Sequence, residues 1–127
     1  MEKDFATYDQ ALVLKVLGFN EPCFGFYDDI DKVYFKKYIM DSPYNEVNNI
    51  TMAPLKQQVF RFFRENYGLN SEIYLQNELD KGYYHYLVTQ LVKANILYRS
   101  QNTKKFETYD EAETECIDKL IELIKNN

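Results

Sequence analysis

The chain has no tryptophan, a single histidine, two cysteines and fewer basic than acidic side chains. Each shortage excludes something. One histidine, His85, cannot supply a multi-histidine metal site. Cys23 and Cys116 stand far apart in apolar surroundings, with no redox or nucleophile signature beside either, and read as buried free thiols rather than a disulfide. No run approaches the roughly 18 apolar residues of a membrane span. The opening MEKDFATYDQ lacks the basic region and apolar core of a signal peptide, so the cytoplasm is the expected compartment. A net charge of −5 gives no general attraction to nucleic acid or an anionic membrane.

What is present points to a folded domain. Hydrophobic residues make up 46% and charged residues 28%, a balance that excludes global disorder. The 127 residues fit one globular domain, 1–127, with no composition shift marking a linker. Aromatics reach 17%, carried by twelve Tyr and nine Phe. Each tyrosine hydroxyl needs a partner, so several rings should pack while their oxygens stay wet.

The clearest element is residues 53–68, APLKQQVFRFFRENYG. Leu55, Val59, Phe62 and Phe63 recur at helical spacing, with Lys56, Gln57, Arg61, Arg64 and Glu65 opposite. Pro54 suits the first turn and Gly68 the left-handed end. Residues 5–19 read as a short helix that Thr7 caps with Gln10 in the reciprocal position, and that Gly18 ends with Phe19 folding back on Val13 or Leu14. Residues 106–125 read as the last helix, with Thr108 and Glu111 as the stronger capping box and Glu115 pairing with Lys119.

Residues 23–27 and 33–39 form one expected hairpin; 72–76 and 83–89 form another across a turn at 77–82. Residues 91–99 fit strand, helix or loop. Asp28, Asp29 and Asp31 lack the glycine and the later Glu of a calcium loop and read as a solvated turn. Residues 41–49, DSPYNEVNN, read as a loop. KDFATYDQA at 3–11 is echoed by KKFETYDEA at 104–112, a repeated helix-start device in which Phe packs beneath the helix while Thr caps it. The order predicts an α+β fold: a two-layer antiparallel sheet built from two hairpins and packed against about three helices.

FATYDQALVLKVLGFNEPCFGFYDD, APLKQQVFRFFRENYGL and FETYDEAETECIDKLIELIK together resemble a set of small proteins from phages and prophages of gut Bacteroidetes. These share a TYEQALALKELGF-like start, a PLYQQAFRWFREKYGL-like centre and a YEEAE-A-L-KLIEIVK-like end. The resemblance covers about half of the chain and implies a phage or prophage origin. It brings no catalytic residue, ligand or cofactor. Phe62 stands where Trp is common, and 83–102 departs most, retaining His85 where the related form often has additional histidines.

The reading that follows is a non-enzymatic protein-binding module, an accessory protein acting on a host or phage protein. Tyr27, Tyr34, Tyr38, Tyr74, Tyr84 and Tyr86 are the expected exposed aromatics of the sheets. Lys36, Lys37, Arg61 and Arg64 are the candidate contacts to an anion or partner, and carry the alternative of nucleic-acid or nucleotide binding. An enzyme is the least favoured reading; Glu65 or Glu72 with Arg61 or His85 would be its residues. No cofactor, metal or membrane is implied. A homodimer through sheet edges or exposed aromatics stays open.

Overall fold

Thr7 starts the first helix as its sequence demands. Its backbone is extended, its Oγ1 accepts the N–H of Gln10 at 3.1 Å, and Gln10 Oε1 accepts the N–H of Thr7 at 3.0 Å. The computed structural model describes residues 2–28, 33–35 and 50–126, with backbone alone at Glu2, Asp28, 33–35, Ile50 and Asn102. The chain divides into two compact units, Met1–Val59 and Phe60–Asn127, and the division falls inside one helix.

In the first unit α1 spans Tyr8–Val16 and ends as expected. Gly18 takes φ 96°, which lets the Phe19 N–H reach the Leu14 carbonyl at 2.9 Å and the Gly18 N–H reach that of Lys15 at 3.2 Å. Three antiparallel strands follow, β1 (Gly25–Asp28), β2 (Val33–Phe35) and β3 (Ile50–Ala53), in the order β2-β1-β3. Phe5, Ala11, Tyr27 and Ala53 form a buried cluster, with Tyr8 and Leu55 packed against it. Tyr27 is therefore not an exposed sheet aromatic: it is buried, and its hydroxyl donates to the Ala6 carbonyl at 2.7 Å.

The helix α2 spans Lys56–Tyr67. It begins later than its periodicity predicts, because Ala53 still pairs with Gly25 across β3 and β1. Gln58 Oε1 accepts the Leu55 N–H at 3.0 Å and stands in for a capping hydroxyl. Gly68 closes the helix at φ 65° as expected. Lys56 is buried, contrary to its placing on the polar side.

The second unit holds β4 (Leu69–Glu78), β5 (Lys81–Gln90) and β6 (Asn95–Arg99), antiparallel in that order. The ambiguous residues 91–99 thus resolve into a turn, with Ala94 at φ 54°, and a third strand. The α+β class, both hairpins and the three helices are as the pattern predicts, with 36–39 of the expected strand 33–39 outside the described residues. Each hairpin also gains a third strand, so the described residues form two three-stranded sheets.

The β4–β5 turn is tighter than expected. Glu78 pairs with Lys81, leaving Leu79 and Asp80 between them, and Leu79 holds φ 52° with its side chain wholly exposed. A primed hairpin turn requires positive φ there, and a leucine Cβ makes that conformation cost about 1 kcal/mol. Leu79→Gly is expected to raise stability by about 0.5–1 kcal/mol in urea unfolding. A drop of that size would show that the leucine makes a contact worth more than its strain.

The last helix, α3, spans Tyr109–Lys125 and packs on β4 and β5 with Ala112, Cys116, Ile117, Leu120 and Ile121 buried. Thr108 Oγ1 accepts the Glu111 N–H at 3.1 Å and donates to Glu111 Oε1 at 2.9 Å. The reciprocal bond to the Thr108 backbone is replaced, so the complete capping box belongs to Thr7. Glu115 pairs with Lys104 at 2.7 Å and Lys119 with Glu122 at 2.9 Å, in place of the expected Glu115–Lys119 pair. The echoed segments do act alike: Phe5 bridges to Leu55 and Phe106 to Tyr84, each buried and each two residues before a capping threonine.

Candidate functional site

Two surfaces of the second unit concentrate features that its core does not need. The first is the far end of the β5–β6 hairpin. Its register shifts between Val88 and Thr89, which pair with Tyr98 and Ile96, so Leu97 is an extra residue in a β-bulge. Leu91, Val92, Ile96 and Leu97 all stand exposed, Val92 at 88%. Residues 91–99 contain Lys93 and Arg99 and no acid, although the whole chain carries −5.

The second surface is polar. Ser100 is buried and its Oγ accepts the Tyr86 N–H at 2.8 Å, which anchors the 3-10 turn Ser100–Asn102 beside β5. The strap that follows rejoins the sheet at Phe106, whose N–H and carbonyl bond with Tyr84 at 3.0 and 2.8 Å. Along it, Gln101 Oε1 accepts the Tyr74 hydroxyl at 2.9 Å, and Lys105 Nζ donates to Glu78 at 2.8 Å while lying 4.5 Å from the Tyr83 ring centre. Between strap and sheet is a recess of about 250 Å3 lined by Glu78, His85, Gln101, Thr103, Lys104 and Lys105. The hydrogen bonds of Lys104 to Glu115 and of Lys105 to Glu78 hold both ammonium groups above their usual pKa. Two further recesses run along α3, of about 290 and 370 Å3, where Lys104, Lys119 and Glu115 already have charged partners.

Among the described residues of the second unit, the expected site residues do not converge. Tyr86 is buried at 1% exposure, stacked on Tyr98 with ring centres 5.7 Å apart and tilted against Phe106 at 6.1 Å. Its alternation in β5 turns it to the face that α3 covers, so it cannot serve as an exposed anchor. Tyr84 is half-buried and meets Tyr109 edge to face at 5.6 Å. Tyr74 is half-buried on the opposite face, 5.7 Å from His85. Arg61 and Arg64 are exposed on α2. Tyr34 is described by backbone alone, in β2 opposite Phe26. Lys36, Lys37 and Tyr38 lie outside the described residues, as do Asp29, Asp31 and the loop 41–49.

Glu65 and Glu72 are exposed, and neither lines the His85 recess. Cys23 and Cys116 are free and buried, and burial pushes each thiol up to about 12, which removes the thiolate that nucleophilic chemistry needs. Among the described residues no three His, Cys, Asp or Glu side chains converge to hold a metal ion, and no helix is long and apolar enough to cross a membrane.

Sequence reasoning missed both surfaces. The hairpin end lay in the stretch whose periodicity fitted three states, though its run without acids was visible. The recess depends on a strap and a strand far apart in sequence. No protein-family model, curated protein or solved structure matches the chain.

Proposed function

We propose that the chain is a protein-binding module of phage accessory type, and that the end of the β5–β6 hairpin is its contact surface. One observation carries the reading: four exposed apolar side chains, Leu91, Val92, Ile96 and Leu97, gathered at one hairpin end and flanked by Lys93 and Arg99. A partner of matching chemistry presents an apolar patch with an acidic rim. A second copy would set Lys93 and Arg99 against their own kind, which disfavours self-association through this surface. The bulge at Leu97 interrupts the edge ladder, so the contact is made by side chains rather than by strand addition. Nucleic acid is the weaker reading, resting among the described residues on Arg61 and Arg64.

The test compares the chain with Val92→Glu and Leu97→Glu in affinity capture from the native host, with sedimentation of the purified protein alongside. Both positions are exposed, so the variants should keep their fold. The reading expects a monomer that retains one stoichiometric protein, with affinity reduced about tenfold or more in either variant. Retention of the same partner by both variants would place its contact elsewhere. A wild-type dimer that Val92→Glu separates would assign the surface to a second copy instead.

A further inference from the structure

His85 is 1% exposed, and neither Nδ1 nor Nε2 has a hydrogen-bond partner among the described residues. It lies on β5 opposite Tyr74 and lines the recess beneath the strap. Gln76, one pair further along the same sheet face, has its Oε1 buried and likewise unpartnered. Buried polar atoms in folded proteins are nearly always satisfied. The two His85 nitrogens belong to a residue of the recess wall, and they point to a ligand there; Gln76 lies outside the lining.

The surroundings define its chemistry. A neutral imidazole offers one donor and one acceptor, and a protonated one offers two donors. Lys104 and Lys105 add ammonium donors, and the one carboxylate of the lining, Glu78, already accepts from Lys105 at 2.8 Å. Both lysines are more than half exposed, so each can turn toward a second acceptor without breaking a buried contact. The donor-rich lining favours an anion. A carboxylate ligand would only accept, leaving an unprotonated ring nitrogen of His85 without a donor. A phosphoryl group supplies accepting oxygens and, in its hydrogen form near neutral pH, an O–H that donates. The volume of about 250 Å3 suits a group of that size with a short organic tail.

We propose that this recess binds a phosphoryl group, either free phosphate or the monoester of a small molecule. His85 donates a ring N–H to it and Lys104 and Lys105 supply the charge. The site is independent of the β5–β6 hairpin surface, and its failure would leave that reading untouched.

His85 is the chain's one histidine, so its ring signals in a proton–nitrogen spectrum need no assignment by mutation. The full chain is titrated with inorganic phosphate and, separately, with glycerol phosphate, each against sodium chloride at matched ionic strength. Saturable ring shifts with phosphate or its ester are expected, with affinity about tenfold weaker in Lys105→Gln. Tighter binding of the ester names a phosphorylated small molecule as the source, and equal binding or a preference for the free ion names phosphate. Shifts that grow linearly and are matched by chloride overturn the proposal. So does saturable binding that neither Lys105→Gln nor Lys104→Gln weakens, since the probe would then sit outside the recess. Thermal unfolding of each lysine variant confirms that a lost shift reports binding rather than folding.

Discussion

Alanine at Tyr86 is expected to lower the unfolding free energy by about 3–5 kcal/mol, the usual result of deleting a buried aromatic ring. The ring is 1% exposed and packs on Tyr98 and Phe106, so its removal leaves a cavity that neither neighbour can fill without moving. Domains of this size hold about 5–15 kcal/mol in all, and the loss would consume a large part of it. Tyr86→Phe separates ring from hydroxyl: it keeps the packing and should cost about 1 kcal/mol or less. Urea unfolding followed by circular dichroism measures both, since the chain has no tryptophan to report on its core. A cost below about 1 kcal/mol for the alanine variant would return Tyr86 to the exposed sheet surface.

Alkaline destabilisation is the second large effect. Burial, the larger cause, and the Glu21 charge raise Cys23 from 9.0 to about 12, against an opposing hydrogen bond from Gln58. Burial does the same for Cys116, with Ser71 opposing and Glu113 and Glu115 adding to it. Tyr86 is also raised, first by burial and then by the Glu115 charge. In each case the native state keeps a proton that the unfolded chain gives up. The stabilising contribution is therefore whole below pH 9 for the thiols and is lost as pH climbs toward 12. Within that window each thiol contributes a fall of up to about 1.4 kcal/mol per pH unit.

Urea unfolding at pH values from about 7 to 10.5 reads the slope directly. Cys23→Ala and Cys116→Ala should each flatten it, whatever they do to the absolute stability at neutral pH. An unchanged slope in the double variant would mean that the thiols ionise alike in both states. Neither thiol should react with a disulfide reagent at mild pH until the chain unfolds.

The fold was readable where signals are local. The Thr7–Gln10 capping box, the Gly18 and Gly68 helix ends and the stripe Ala112, Cys116, Leu120 all concern residues within a few positions of each other. The third strands were not readable. β6 exists because Ala94 turns the chain back onto β5, and a lone alanine carries no positive-φ signature. β3 pairs with β1 across more than twenty residues, beyond any helical or strand period. Tyr86 was misplaced because tyrosine alone does not say which face of a strand meets a helix. That became legible once α3 was seen to cover β4 and β5. The candidate site was less legible still. His85 comes to share a recess with Gln101, Thr103, Lys104 and Lys105, and Lys105 reaches Glu78, through a strap whose path no pattern in 100–107 discloses.

The bulge at Leu97 reaches beyond any single partner. A growing fibril needs a straight, uninterrupted strand on which the next copy can register, with matching bonds above and below. β6 is only Asn95–Arg99 long, is dislocated near its middle and bears a positive charge at its end. Ile96 and Leu97 can thus stay in water on a sheet margin while that margin is a poor template for templated growth. The same irregularity that keeps sticky side chains on display withholds the backbone from polymerisation.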